Sequence, residues 1–243
     1  MGKADHITLA IPYFDAPEML QEQVRYWKGY DNRVRVILID DGSPQCPAMD
    51  VLDAVDQIYL NGINLSVYRI EQNIPWNYSG TRNLAFLVAD PGWVFSTDLD
   101  HIVPNVSINE MFGRELNDKC YYIPKRIQNG LLMKRHSDSF IMTKHLYWSV
   151  GGYDEDFAGW YGGATQLFRM SLRNVASEIS LGDVWHEHYT EDMIQDCHTT
   201  VWGRKGSEYD FRKNPDLVNK IAYYKRNKSD KKKCLRFDWK QVL

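Results

Sequence analysis

Residues 93–101 read Trp93-Val94-Phe95-Ser96-Thr97-Asp98-Leu99-Asp100-His101, and this stretch decides the fold. Trp93–Ser96 is short and apolar, which predicts a buried strand. Polarity switches abruptly at Thr97, so the strand runs straight into an acidic loop, Asp98–His101. Two carboxylates held two residues apart repel each other unless a cation or a basic group neutralises them. They can share one hard cation, or one can bind it directly and the other through its water. Mg2+ and Mn2+ take oxygen ligands of this kind and tolerate bridging phosphates. In isolation the pair reads equally well as a solvated turn, so its neighbours carry the argument.

Working outward, the first half of the chain alternates strands and helices. Ile7–Tyr13 predicts strand one, and Asp15 is placed to cap a helix with Pro17 in its first turn and Glu18–Tyr30 beyond. Val34–Ile39 predicts strand two, stopped by the turn composition of Asp40-Asp41-Gly42-Ser43-Pro44. Met49–Tyr59 reads as a helix and Leu65–Ile70 as strand three. The loop Asn73–Tyr78 leads to a helix over Ser79–Ala89. This order predicts an α/β, Rossmann-type, mostly parallel central sheet flanked by helices. Ligands of such sheets bind at the carboxyl ends of the strands. Asp40-Asp41 and Asp98–Asp100 both follow such ends and should open on one side. The second half is less regular. Tyr121–Arg126, Ser139–Thr143 and Glu178–Val184 read as strands, Lys144–Val150, Gln166–Val175 and Leu217–Asn227 as helices. Gly151–Gly163 reads as a loop rich in Gly, aromatic and acidic residues. Without a repeat or a linker, one domain is the simpler organisation, with residues 1–101 as one half, 102–213 as the other, and 214–243 as a terminal helix and basic tail.

A hydrophobic content of 44% over 243 residues is enough for a substantial core. The net charge of −3 argues against nucleic acid as a partner. Cys46, Cys120, Cys197 and Cys234 are irregularly spaced, which fits neither a disulfide framework nor structural zinc and suggests a reduced, cytoplasmic setting. No stretch is apolar enough for a signal peptide or a membrane span. The basic tail, with Lys225, Arg226, Lys228, Lys231, Lys232, Lys233 and Arg236 against Asp230 alone, reads as a solvated helix end or as a contact to an anionic membrane or acidic polymer.

Several groups can join the acidic loop. His101 follows it directly. His186 and His188 are two apart after a predicted strand, so an extended backbone turns both rings to one face. Asp41, with Asp40, can accept from a base N–H or a ribose hydroxyl. Arg82 opens a helix after Ser79-Gly80-Thr81, a placement suited to a pyrophosphate.

The order of IPYF (11–14), DDGS (40–43), NIPWNYSGTRN (73–83), STDLDH (96–101) and GGYDEDFAGWYGG (151–163) resembles the GT-A-fold glycosyltransferases of the family-2-like group, over roughly Ile7 to His188. The resemblance implies a GT-A fold, a nucleotide-diphosphate sugar donor (a UDP-sugar above others), a glycan or polysaccharide acceptor, and Mn2+ or Mg2+. It implies that Pro12, Asp40, Asp41, Arg82, Asp98 and Leu99 bind the nucleotide sugar. It gives the metal to Asp98 and Asp100 with His186 or His188, and the acceptor side to Trp160 and Tyr161. Trp76 is placed to close over the donor.

The pattern breaks at Gly159-Trp160-Tyr161-Gly162-Gly163-Ala164. Such enzymes commonly carry an acid there, the general base of an inverting transfer, and alanine takes no proton. Three explanations stand. Asp154, Glu155 or Asp156 supplies the base; transfer retains configuration and needs none; or the acid is lost, leaving a nucleotide-sugar or glycan-binding protein. A sugar nucleotidyltransferase is a further alternative, but Pro12-Tyr13-Phe14-Asp15 after strand one lacks the Gly-rich basic loop that holds a triphosphate.

Overall fold

The computed structural model describes residues 2–198, 208–227 and 232–243. The apolar runs of the first half become strands β1 (Ile7–Tyr13), β2 (Val34–Asp40), β3 (Asn64–Ile70) and β4 (Trp93–Ser96). Between them lie helices α1 (Pro17–Trp27), α2 (Ala48–Ala54) and α3 (Tyr78–Val88). β1 pairs in parallel with β2 on one side and β4 on the other, and β2 pairs in parallel with β3. Those strands are buried on both faces, which is why they read as continuous apolar runs rather than as alternating ones.

The second half adds β5 (His101–Ile102), α4 (Asn105–Gly113), β6 (Cys120–Gln128), β7 (Phe140–Thr143), α5 (Lys144–Ser149), α6 (Gly163–Leu172), β8 (Ser177–His188), α7 (Pro215–Asn227) and β9 (Trp239–Gln241). The strands follow one another as β9-β3-β2-β1-β4-β7-β6-β8-β5, with the short strand Leu131–Met133 hairpinned onto β6. β7 lies antiparallel between β4 and β6, and β8 returns parallel to β6. The expected central sheet of parallel strands covered by helices is therefore present, and antiparallel pairing enters only beyond β4 and at the β9 edge. The orientation of β7 matters below: it begins on the sheet edge where β1, β2 and β4 end.

Two apolar clusters cover the two faces of the sheet. Ile7, Leu9, Ile11 and Tyr13 of β1 enter one of them, while Ala10 between them enters the other, the period-two alternation of a strand. In the second cluster Phe86 of α3 stacks on Tyr147 of α5 with ring centroids 3.7 Å apart. Asn83 of α3 lies beneath that stack. It donates to Tyr153 O (2.9 Å) and Glu155 Oε1 (2.8 Å) and accepts from Tyr147 Oη (2.6 Å) and Tyr153 N (2.9 Å). Gly152 adopts φ +64°, and a Cβ there would stand 2.6 Å from Asn83 Oδ1. The Gly-Gly-Tyr segment thus closes over Asn83 and joins the two halves.

Three expectations are corrected. The helix expected over Met49–Tyr59 divides into α2 and the single turn Gln57–Leu60, because Asp56 accepts from Ile58 N at 3.0 Å and starts a new cap. Asp15 does not cap α1; at φ +42° it accepts from Gln45 N (3.1 Å) and Cys46 N (2.8 Å) and secures the neighbouring turn. The tail divides: Lys225 and Arg226 are exposed at the end of α7, as a solvated helix end requires, whereas the residues from 232 onward fold back on the protein and β9 pairs antiparallel with β3, Trp239 opposite Ile70. Lys228 and Lys231 lie outside the described residues. Among the described residues no helix is long and apolar enough to cross a membrane, and all four cysteines are free thiols.

The cap of α1 comes instead from Asp196, whose carboxylate accepts from Glu18 N at 2.6 Å and Met19 N at 2.9 Å. Two orphan N–H groups and the helix dipole are satisfied by one charge. Asp196→Ala is expected to cost about 1–2 kcal/mol, read as a lowered urea midpoint with an unchanged m value.

Candidate active site

β2, β1, β4 and the start of β7 meet along one sheet edge, above a cleft of about 1080 Å³. In strand order, Asp41 lines it beyond β2, Pro12 and Tyr13 at β1, Asp98, Leu99 and Asp100 after β4, and His136 and Asp138 before β7. Arg82 and Trp76 line it from α3 and the loop before it, Tyr161 and Thr165 from the approach to α6 and its first turn. The two acidic turns, distant in sequence, do open on one side.

The two aspartates of the first turn have different tasks. Asp40 faces inward and accepts from Ser43 N (2.9 Å), Ala48 N (3.0 Å) and Arg69 Nη1 (2.6 Å). Three donors thus hold it in the turn and at the start of α2, off the cleft, in the place of a structural anchor. Asp41 faces the cleft and accepts one bond, from Asn77 Nδ2 at 3.1 Å. Burial, relieved in part by Asn77 and reinforced by the Asp40 charge, raises its carboxyl well above the ordinary range.

Arg82 is 2% exposed. It donates through Nη1 to Tyr78 O (3.2 Å), pairs with the Asp98 carboxylate, and lies 5.6 Å and 5.9 Å from the ring centroids of Tyr78 and Tyr153. Burial works against its charge, but Asp98 and then Asp138 outweigh it and keep the guanidinium cationic.

Around Asp100 the histidines converge. His101 Nδ1 lies 2.5 Å from Asp100 Oδ1, and His188 Nε2 and His198 Nδ1 lie 3.4 Å and 3.5 Å from Oδ2. The cause is register: β8 ends antiparallel to β5, which sets His188 opposite His101. Burial raises the Asp100 carboxyl, but His101, His188 and His136 reverse the sign and hold it well below its usual range. Burial lowers His101 to about 4 against the pull of Asp100, so its imidazole is neutral at physiological pH. Asp100, His101 and His188 each offer an atom within 4.8 Å of the others, and so do Asp98, His101 and His136, so both aspartates of the loop stand where a metal ligand could. His101 Nε2, buried, has no hydrogen-bond partner among the described residues. The Asp100 carboxylate, the imidazoles of His101 and His188 and the orphaned His101 Nε2 form a donor set that fits a divalent ion, with more nitrogen than Mg2+ prefers. His186, the other histidine offered by the sequence, packs its ring 4.5 Å from His101 and joins neither group of possible metal ligands. Both its ring nitrogens lack partners among the described residues, and burial pushes its pKa down.

The acceptor-side expectations change most. Asp154, Glu155 and Asp156 do not line the cleft. Asp154 pairs with Lys220; Asp156 is met by Lys220 (2.8 Å), Lys233 (3.1 Å) and Arg236 (3.1 Å). Glu155 accepts from Asn83, Leu235 N (2.6 Å) and Arg236 N (3.1 Å). Lys232 Nζ donates to Val150 O (2.7 Å) and Gly152 O (2.8 Å). The acidic segment is thus paired with Lys220 of α7 and with Lys233 and Arg236 of the tail, off the cleft, and is not placed to supply a base there. Trp160 packs against the second apolar cluster instead of lining the cleft, while Tyr161 faces it. Ala164 is fully buried in that cluster; the next residue, Thr165, reaches the cleft.

The sequence reading passed over Asp138 and His136. Asp138 Oδ1 accepts from Tyr153 Oη (2.8 Å) and Thr165 Oγ1 (2.7 Å). Burial raises its pKa, but Arg82, then His136 and these hydroxyls outweigh that and lower it, so it is ionised. His136 Nε2 stands 3.4 Å from Asp98 Oδ2. Both precede a strand, whereas the acidic turns legible in the sequence follow one. Because β7 is antiparallel to β4, its beginning is at the cleft.

No family model matches the chain, and no curated protein matches its sequence. Solved structures do. Staphylococcus aureus TarS 1–349 in complex with UDP superposes with a TM-score of 0.63 at 17% identity, over 76% of this chain and 60% of that one. GalNAc-T7 with UDP, GalNAc and Mn2+ gives 0.63 at 13%, over 89% and 48%. The mannosyltransferase PcManGT from Pyrobaculum calidifontis, with GDP-Man and Mn2+, gives 0.59 at 12%, over 96% and 67%. The chain spans about three fifths of the length of the TarS 1–349 structures. It has the fold these glycosyltransferases share.

A carboxyl whose folded pKa lies above its unfolded value stabilises the fold only while protonated, and that stability falls as pH rises from the unfolded value of about 4. Asp41→Asn is therefore expected to melt above the wild type near pH 7, in the absence of nucleotide, with the gap closing toward pH 4. A gap independent of pH would show that Asp41 bears no such burden.

Proposed function

We propose that the chain is a metal-dependent glycosyltransferase, moving a sugar from a nucleotide-diphosphate sugar, a UDP-sugar above others, to a hydroxyl of a glycan or polysaccharide. One observation carries this reading. A single cleft is lined by a hydrogen-bond acceptor (Asp41), a buried cation paired with a carboxylate (Arg82 with Asp98) and a carboxylate, Asp100, that is backed by the buried imidazoles of His101 and His188, an array suited to the base, ribose and diphosphate of a donor.

Asp41 suits the single N3–H of uracil, with Pro12 and Asn77 beside it. Trp76 and Leu99 supply apolar walls, and Arg82 fixes Asp98 for the ribose. Asp100, His101 and His188 would hold Mn2+, or Mg2+ less readily. When bound, such an ion supplies positive charge against the diphosphate leaving group. The complexes of the structural neighbours with UDP, UDP-GlcNAc or GDP-Man, two of them with Mn2+, support this assignment. In this reading residues 1–101 form the donor half and 102–213 the acceptor half, where Tyr161 faces the sugar-accepting side.

The test is a thermal-shift screen of UDP-sugars with Mn2+ or with EDTA. A ligand at one hundred times its Kd adds about 2.7 kcal/mol to the folded state. The wild type is expected to gain such a shift with its donor only when Mn2+ is present, and Asp100→Ala to lose it. An equal shift in Asp100→Ala, or in EDTA, would sink the metal assignment. A donor that binds but releases no free sugar over long incubation would favour a binding protein.

A further inference from the structure

We infer that Asp138 is the catalytic base that deprotonates the incoming hydroxyl, in the place left without an acid at Ala164; the inference rests on the glycosyl-transfer reading above.

Three observations carry it. The first is elimination. Among the described acids near the acceptor side, Asp154, Glu155 and Asp156 are consumed by Lys220, Lys233, Arg236 and Asn83 and lie off the cleft. Glu178 is held by Tyr121 (2.7 Å), Arg135 and Arg169 (3.0 Å), and it too lies off the cleft. Asp138 lines it.

The second is orientation. Tyr153 and Thr165 both donate to Oδ1, at 2.8 Å and 2.7 Å, and neither donates to Oδ2. Among the described residues, the hydrogen bond given to Oδ2 comes from the exposed Ser137 hydroxyl, at 2.8 Å. Two donors from inside the protein thus fix one oxygen and turn the other outward. A carboxylate serving only to neutralise Arg82 has no need of that asymmetry.

The third is position. Thr165 directly follows Ala164 on α6, so Asp138, hydrogen-bonded to Thr165, brings a carboxylate to the spot where α6 itself supplies none. Arg82 lies between Asp98 and Asp138 and feels both charges. This sets Asp138 one side chain away from the donor group, on the side opposite Asp41.

The step balances as follows. The acceptor oxygen bonds to C1 of the sugar, and the bond from C1 to the diphosphate oxygen breaks, its electron pair leaving with the nucleoside diphosphate. The acceptor proton passes to Asp138 Oδ2 and from there to solvent. A base placed across the sugar from the leaving group gives inversion at C1.

The experiment uses Asp138→Asn, which keeps the size of the side chain and an oxygen for Tyr153 and Thr165. The donor is the UDP-sugar that shifts the wild-type melting temperature in Mn2+. Water and sodium azide serve as nucleophiles; water must lose a proton to react and azide need not. Expected are an unchanged donor-induced shift, donor hydrolysis reduced about 100-fold or more, and recovery of turnover with azide to give the inverted glycosyl azide. Wild-type hydrolysis by Asp138→Asn would overturn the assignment. So would intact donor binding without azide recovery, which would mark Asp138 as a positioning residue, and so would a retained configuration in the azide product. Failure of every UDP-sugar to shift the wild type is a different result. It would remove the glycosyl-transfer reading itself, and this inference with it.

Discussion

A guanidinium taken out of water must be neutralised where it lies, and the site is organised around that requirement at Arg82. An unpaired buried charge costs several kcal/mol, so the carboxylates about it are structural necessities before they are chemical tools. Asp98 reaches Arg82 from the end of β4, and Asp138 faces it from the start of β7. The aromatic walls of Tyr78 and Tyr153 exclude water from the same cation. One ion therefore ties the loop after β4 to the start of β7 across the cleft.

The same electrostatic logic explains the far side of the molecule. Asp154, Glu155 and Asp156 form an acidic segment under the Gly-Gly-Tyr turn, and the chain returns after α7 with Lys232, Lys233 and Arg236 to meet it. Glu155 also accepts the backbone N–H groups of Leu235 and Arg236, so the tail is positioned by its main chain as well as by its charges. It then crosses to the opposite edge of the sheet as β9. Of a stretch that looks like a solvated basic end, Lys225 and Arg226 are exposed on α7, while residues 232–243 are a clasp against the body of the protein.

The parts legible from sequence are those that local chemistry specifies. Buried parallel strands need apolar residues on both faces, so β1 to β4 declare themselves within a residue or two. The acidic turns declare themselves because polarity changes where a strand stops. The Asp41 and Asp98–Asp100 sides of the cleft follow from those facts and from the rule that ligands bind at the carboxyl ends of parallel strands. Asp40 was misread because its sequence neighbour shares its chemistry; only the inward turn of its carboxylate toward Ser43, Ala48 and Arg69 separates the two.

What the sequence alone determined was the α/β sheet, its ligand-binding edge and the presence there of acidic and imidazole groups, since composition and periodicity act over a few residues. The tertiary structure decided everything that depends on pairing across long separations. The antiparallel placement of β7 carried His136 and Asp138 to the cleft. The antiparallel end of β8 chose His188 over His186. Asp196 reached α1 in place of Asp15. In each case the residue's own neighbourhood allows several roles, and the direction of a strand, or a charge brought from far along the chain, selects one. So it is with the acidic loop after β4: the sequence marks where it lies, and the strands on either side determine which histidines and which carboxylate complete it.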